Sequence, residues 1–382
     1  MSVASANVDF DLHGIVGVRV VGATRRESDA VRRQLGPIEG RLRRPPDITV
    51  RFTDEVRTAP SRILGNHDVA FSGDAFYLLR GRGHASTEIG IAFDQLGDTV
   101  ELLCRRGTYG VPHLLQIINL TALARGHLAL HASCVEHDGL RVLITGWAKG
   151  GKTETLLALM ANGARYIGDE WIYLDPVSRV ARGIPEPIRL WKWQLDAMPD
   201  YRRRVSRASR ARLGALGAAT GIAHCLRAAG GNSRSGPASL VRRGLPILER
   251  QLSVQVPPAV LFGDTIGAMD ETSAVDVVIL PMTHDHHTVE CAPINGWEVA
   301  SRMGASLAFE RVEFLSQYLA FLFAFPDRRN EWLESVPAQE NRLLHNALDG
   351  LPAFTLLHPL PMNIPELYEA LEPALATLRS SV

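Results

Sequence analysis

In the first third of the chain, apolar and polar residues alternate in short runs, the pattern of half-buried strands. Such runs fall at 14–21, 48–52, 75–79, 88–93 and 99–104, are rich in β-branched and aromatic residues, and are separated by Gly, Asp and Pro. Two stretches switch to the helical period: 25–35, and 111–125 with Leu114, Leu115, Ile118, Leu120 and Leu123 as apolar positions. Residues 1–127 therefore read as a small α+β unit, a candidate for substrate binding, without a chemical motif of its own.

From Leu128 the order becomes strand, turn, strand, Gly-rich loop, helix, strand. Runs at 128–135 and 140–145 predict a hairpin across His137-Asp138-Gly139, and the second run leads straight into residues 146–153. A helix is expected over 154–162, with Leu156, Leu157, Leu159 and Met160 apolar and Gly163 as its stop, followed by a strand over 165–174. Further on, the pattern predicts a buried strand over 275–280, one or two helices within 297–325 and an amphipathic helix over 365–378. The most apolar late stretch, 314–325, includes Ser316 and Gln317 and falls short of the ~20 residues that span a bilayer, so it reads as a buried helix. No internal repeat is visible. The expected fold class is mixed α/β (α+β), with a second unit over 128–382 interrupted by an insertion at about 200–250.

Composition narrows the class. With 382 residues, 46% apolar and 21% charged, the chain has ordinary globular usage, which excludes collagen, a disordered tail and a disulfide miniprotein. Lys+Arg and Asp+Glu balance at 41 each, so the whole molecule makes no electrostatic case for nucleic acid or a membrane surface. The exception is local: 201–250 holds eleven Arg and one Glu, with a loop expected at 230–236, and such runs are more often a solvated face than a nucleic-acid site. Lysine is rare. Only Lys149, Lys152 and Lys192 occur, two of them in the same Gly-rich segment. Cys104, Cys134, Cys225 and Cys291 form no CxxC or zinc spacing, and the opening MSVASANVDFDLHG carries acids where a secretory leader needs basic and then apolar residues. Reduced thiols and a cytoplasmic location are the expectation.

The segment that carries chemistry is Gly146-Trp147-Ala148-Lys149-Gly150-Gly151-Lys152-Thr153, followed by Glu154. It satisfies G-x-x-x-x-G-K-[ST] between a strand and a helix, the context in which this phosphate-binding loop works. Glycines let backbone N–H groups converge on phosphate oxygens, the helix N-terminus adds positive potential, Lys152 reaches the β- and γ-phosphates and the Thr153 hydroxyl ligates Mg²⁺. ATP and Mg²⁺ are the expected cofactors. The next strand brings two acids, Asp169 and Glu170, the first only 17 residues after Lys152.

His131 followed by LITGWAKGGKTETLLALMANGARYIGDEWIYLD resembles the HPr kinase/phosphorylase pattern: an upstream His on a strand, a phosphate loop ending in Gly-Lys-Ser-Glu, a short helix and a strand bearing paired acids. The resemblance covers about 130–175, and Glu186-Pro187-Ile188-Arg189 is similar to the family's Glu-Ile-Arg segment with one residue inserted. It implies a phosphoenolpyruvate-carboxykinase-like core and ATP-dependent phosphorylation of a serine-type hydroxyl on a peptide or protein, or of a small-molecule alcohol. By position, it implies Lys152 and Thr153 on phosphates and metal, Asp169 as the base, Glu170 and Glu186 as metal ligands, His131 beside the reacting phosphate and Arg189 on transition-state charge. Phosphoryl transfer is mostly positioning and charge neutralisation, so this set is chemically sufficient. Family members tend to assemble, which makes a homo-oligomer an expectation too.

Thr153 stands where the family usually has Ser, and Glu170 where it has a second Asp; the C-terminal signature tied to the reverse, phosphorylase reaction is not found. Plainer readings stand beside these roles: a solvated strand end for Asp169 and Glu170, a core histidine for His131, an ion pair for Glu186 and Arg189, a solvent-facing Lys149. His284-Asp285-His286-His287 reads as a polar loop, since consecutive residues do not easily converge on one ion. Trp191 and Trp193 alternate as in a half-buried strand or stack on a base or substrate. Two alternatives to a kinase are a nucleotide-binding regulatory or peptide-docking module with little catalysis, and an ATPase linked to nucleic acid through the Arg-rich segment.

Overall fold

The computed structural model describes residues 7–57, 60–80, 86–229, 245–246, 248–266 and 273–380; the loop expected at 230–236 lies outside them. The fold is mixed α/β, built on two large sheets, each with parallel and antiparallel pairs.

The first sheet uses β1 (Val8–Leu12), β2 (Val16–Val21), β3 (Ile48–Thr53), β4 (Arg62–Leu64), β5 (Val69–Ser72), β6 (Ala75–Arg80), β7 (Ser86–Gly90) and β8 (Val100–Arg105), in the order β1-β2-β3-β8-β7-β6-β5-β4. Helices α1 (Arg25–Leu35) and α2 (Leu114–Ala124) belong to the same part of the chain. α1 starts where its sequence says it should: Thr24 and Glu27 cap each other reciprocally, the Glu27 carboxylate accepting from the Thr24 N–H at 2.6 Å. α2 starts three residues later than the apolar pattern suggested, because Pro112 and a left-handed His113 (φ 59°) hold the preceding turn out of the helix.

The second part opens with β9 (Leu128–His137) and β10 (Leu140–Thr145), joined by a two-residue turn in which Asp138 and Gly139 both take positive φ, 49° and 83°. That is the hairpin turn an Asp-Gly pair favours. Then follow α3 (Lys152–Ala161), β11 (Arg165–Gly168), β12 (Trp171–Leu174), β13 (Ala181–Gly183), β14 (Ile188–Trp191), α4 (Lys192–Ala197), α5 (Pro199–Arg204), α6 (Arg207–Ala229), β15 (Ser253–Val256), α7 (Pro258–Phe262), β16 (Val277–Thr283), β17 (Glu290–Pro293), α8 (Gly296–Glu310), α9 (Val312–Ala324), α10 (Glu331–Leu348), β18 (Ala353–His358) and α11 (Ile364–Arg379). The sheet order is β13-β12-β9-β10-β16-β18-β17, with β11 also on β9, while β14 and β15 make a separate ribbon. β10, β16 and β18 run parallel, so their C-terminal ends share one edge. In sheets of this kind ligands bind beyond that edge.

Three further sequence expectations need correction. The strand expected over 165–174 is two strands, interrupted at Asp169 and Glu170. The helix expected from 154 starts at Lys152, so the Gly-rich loop passes directly into it. Trp193 lies in α4 and not on a strand, because the Gln194 side chain accepts from the Trp191 N–H at 2.6 Å and turns the chain into a helix.

One hydrophobic cluster is continuous across both sheets, from Phe10, Val50 and Leu102 through Leu130 and Leu280 to Phe314 and Leu344. Its aromatic centre is Phe93, with Phe76, Phe314 and Phe321 rings 5.3–5.7 Å away. A second cluster covers the other face of the second sheet, with α3 and α11 packed on it. Among the described residues no helix is long and apolar enough to cross a membrane.

Candidate active site

Four elements converge where β10 ends. β9 contributes His131 and Ser133, which period-two alternation puts on one face of the strand. The β11–β12 interruption contributes Asp169 and Glu170, α3 begins with Lys152 and Thr153, and α8 ends with Glu310.

The interruption lies opposite β9, just past a register shift between Tyr166 and Gly168. Gly168 pairs with Cys134 and Trp171 with His131, while the Ala132 N–H donates to the Glu170 carbonyl at 3.2 Å. Glu170 takes a left-handed φ of 71°, a strained conformation for a side chain of this kind and one that recurs at functional sites. The bend also needs a close approach: a Cβ on Gly183 would lie 2.5 Å from the Gly168 Cα, so both positions require glycine.

Asp169 is 3% exposed. It accepts from the Ser133 hydroxyl and, at 3.3 Å, from the Thr153 hydroxyl. Burial pushes its carboxyl above the ordinary range, and the Glu170 charge adds to the effect. Glu170 goes the other way, held low mainly by its hydrogen bond with His131 at 3.2 Å. His131 sits between two carboxylates, its second nitrogen 2.6 Å from Glu310, and its ring stacks on Trp171. Burial alone would lower it, but the bonds to Glu170 and Glu310 outweigh that and raise it to about 9, so the ring is an imidazolium at neutral pH.

Lys152, 6% exposed, folds back on its own loop and donates to the carbonyls of Gly146 (3.2 Å) and Trp147 (2.9 Å). Burial lowers its pKa, with Asp169 and Glu170 opposing. The loop is fixed from below and from the side. His358, fully buried at the end of β18, lies 2.9 Å from the Gly150 carbonyl, and the Ser306 hydroxyl of α8 donates to the Gly146 carbonyl at 3.2 Å. Gly151 has φ 103°, and a Cβ there would stand 2.5 Å from the His358 Nε2.

The structure thus brings His131, Lys152, Thr153, Asp169 and Glu170 together. Arg189, exposed on β14, is near enough for its charge to help hold Glu170 low, and the Glu186 charge acts on Tyr166 and Tyr173. Glu154 is engaged elsewhere, accepting from Gln194 at 2.6 Å, and Lys149 is exposed with φ 63°. Ala148 is half-buried in the loop, and Trp147 stacks on Phe309. The residues 284–287 form an exposed loop. Among the described residues no three His, Cys, Asp or Glu side chains converge as a metal cluster. That leaves the magnesium expectation open to test on donor chemistry: Mg²⁺ is held through one or two carboxylates plus substrate phosphates, and Thr153 with its acidic neighbours offers hard oxygens of that type.

Sequence reasoning missed Ser133, Ser306, Glu310 and His358. Ser133 had a signal, two positions after His131 on a predicted strand. The other three reach the site only through the packing of α8 and β18. A scan against protein-family models finds no match to this chain, and a search of curated proteins finds none.

Proposed function

We propose that this chain is an ATP-dependent phosphotransferase of the HPr-kinase type, with a phosphoenolpyruvate-carboxykinase-like core, acting on an alcohol oxygen. The observation that carries the reading is the Asp169 carboxyl within 3.3 Å of the Thr153 hydroxyl, at the head of the helix that the phosphate loop enters. A base for the acceptor proton and a grip for the terminal phosphates are thereby side by side. In the reaction, the acceptor oxygen bonds to the γ-phosphorus as the bond from that phosphorus to the β–γ bridging oxygen breaks. ADP leaves with the electron pair, and the acceptor proton passes to Asp169.

Burial of Asp169 favours this role, because a carboxyl raised toward neutral pH is a better base than an ordinary one. Lys152 exchanges its loop carbonyls for the β- and γ-phosphates, and the His131 imidazolium, pinned by Glu170 and Glu310, adds fixed positive charge beside them. Arg189 is the further cation of the site. Thr153, Glu170 and Glu186 would be the oxygen donors for magnesium, which would neutralise phosphate charge.

The test is transfer from γ-labelled ATP into an extract of acceptors, with wild type, Lys152→Ala and Asp169→Asn in parallel. Asp169→Asn should slow transfer by about 10² to 10⁴, the range of a general base. Transfer at the wild-type rate in Asp169→Asn removes the base assignment. Tight ATP binding with no labelled product in any arm makes the chain a nucleotide-binding regulatory module instead.

A further inference from the structure

The phosphate chemistry leaves one built feature of the site unused. Trp147 and Phe309 are 49% and 50% exposed, yet their rings stack with centroids 4.7 Å apart and planes inclined at 32°. Both residues are anchored to reacting groups through their neighbours. The Trp147 carbonyl accepts from Lys152 at 2.9 Å, and Phe309 immediately precedes Glu310, which holds His131 at 2.6 Å. The Ser306 bond to Gly146 clamps α8 against the loop, so the two rings belong to one fixed surface.

Position decides what that surface serves. In a phosphate loop the lysine reaches the β- and γ-phosphates, so Trp147, whose backbone carbonyl holds the Lys152 ammonium, stands at the terminal-phosphate end of a bound nucleotide, away from its base. On the other side, His131 leads through Glu170 to Asp169, the acid group that receives the acceptor proton. The rings therefore border the space through which an acceptor approaches. An exposed apolar ring pair next to a polar site is a candidate recognition element.

We propose that Trp147 and Phe309 form an acceptor subsite, taking an aromatic or branched aliphatic group carried next to the hydroxyl to be phosphorylated. The proposal rests on the phosphotransferase reading and narrows its substrate class: polyols and sugars lack the group the rings would cover.

The experiment uses 4-fluorobenzyl alcohol as the probe, titrated into the full chain and followed by fluorine NMR, with benzyl alcohol and glycerol as competitors. Binding that benzyl alcohol displaces and glycerol does not, weakened about tenfold in Phe309→Ala and Trp147→Ala and largely kept in Phe309→Leu, is the expected result; one hydrophobic contact in a pocket discriminates on that scale. Equal binding in wild type and Phe309→Ala overturns the subsite. So does a Phe309→Ala variant that loses ATP affinity while keeping tripolyphosphate affinity, because the rings would then hold the nucleobase. Transfer of label from ATP to the alcohols is read separately. Ring-dependent binding with no transfer to any acceptor keeps an apolar ligand site at the rings and removes the phosphotransferase reading. Transfer that ignores both ring substitutions keeps the reading and removes the subsite.

Discussion

Gly151 shows how much of the site depends on a single missing atom. Its φ of 103° is left-handed, and the Cβ of any other residue would stand 2.5 Å from the Nε2 of His358, which is fully buried and held at the Gly150 carbonyl. Gly151→Ala should destabilise the fold by about 1–3 kcal/mol, the cost of a strained backbone position, and abolish ATP binding. Adding His358→Ala should restore part of the stability, since it relieves the overlap and not the φ; denaturant unfolding and an ATP titration check both. This glycine, with Lys152 and Thr153, was legible because a Gly-rich loop between a strand and a helix is a local device whose spacing is its geometry. Asp169 was legible through its resemblance to a known strand-end acid. Glu310 was not: it lies 179 positions from the histidine it holds, in a helix whose sequence signals only burial.

At the scale of elements, strands and helices followed their periods, and the departures fall where side chains outbid propensity. β11 and β12 read as one strand by pattern, and at the interruption between them Asp169 and Glu170 take partners on β9 and α3. A comparable staple holds the first sheet. Asp47, just before β3, accepts from the Gly17 N–H of β2 and from Arg44 and Arg125, the last at the end of α2. Burial pushes this carboxyl up, but the three hydrogen bonds outweigh it and hold it below the usual range. A carboxyl depressed in the folded state contributes stability above its unfolded pKa, about 3.9, and loses it as pH falls through the folded value. Wild type should therefore weaken steadily below pH ~4, whereas Asp47→Asn should be less stable at neutral pH and flatter through that acid window. The neutral-pH loss should be near the low end of about 1–3 kcal/mol, since both guanidinium partners are part-exposed. Urea unfolding at a series of pH values reads both effects.

For the whole molecule, the change of pattern near residue 127 marks a real change of sheet, but one hydrophobic cluster is shared by both sheets. Phe93 of the first part packs on Phe314 and Phe321 of the second, and the Asn330 side chain donates to the Phe93 and Leu96 carbonyls at 2.8 Å. Alternation along a strand says which face is buried and not against what, which is why this union was invisible in the sequence. Residues 128–382 alone should not reach a native state, and the full chain should unfold in one calorimetric transition. Phe314→Ala, a large deletion at the junction, should cost about 3–5 kcal/mol and lower that transition without splitting it.

The distance along the chain between the two halves of this junction has a bearing on biosynthesis. Asn330 follows Phe93 by 237 residues. At about 5–20 residues per second, a ribosome needs roughly 10 to 50 s to deliver the helices that cover the Phe76–Phe93 face. Throughout that interval the nascent first sheet presents an uncovered aromatic surface. Chaperones that hold nascent chains at the exit tunnel should therefore raise the soluble yield of the wild-type chain, while a synonymous slow-codon tract between the two segments should lower it.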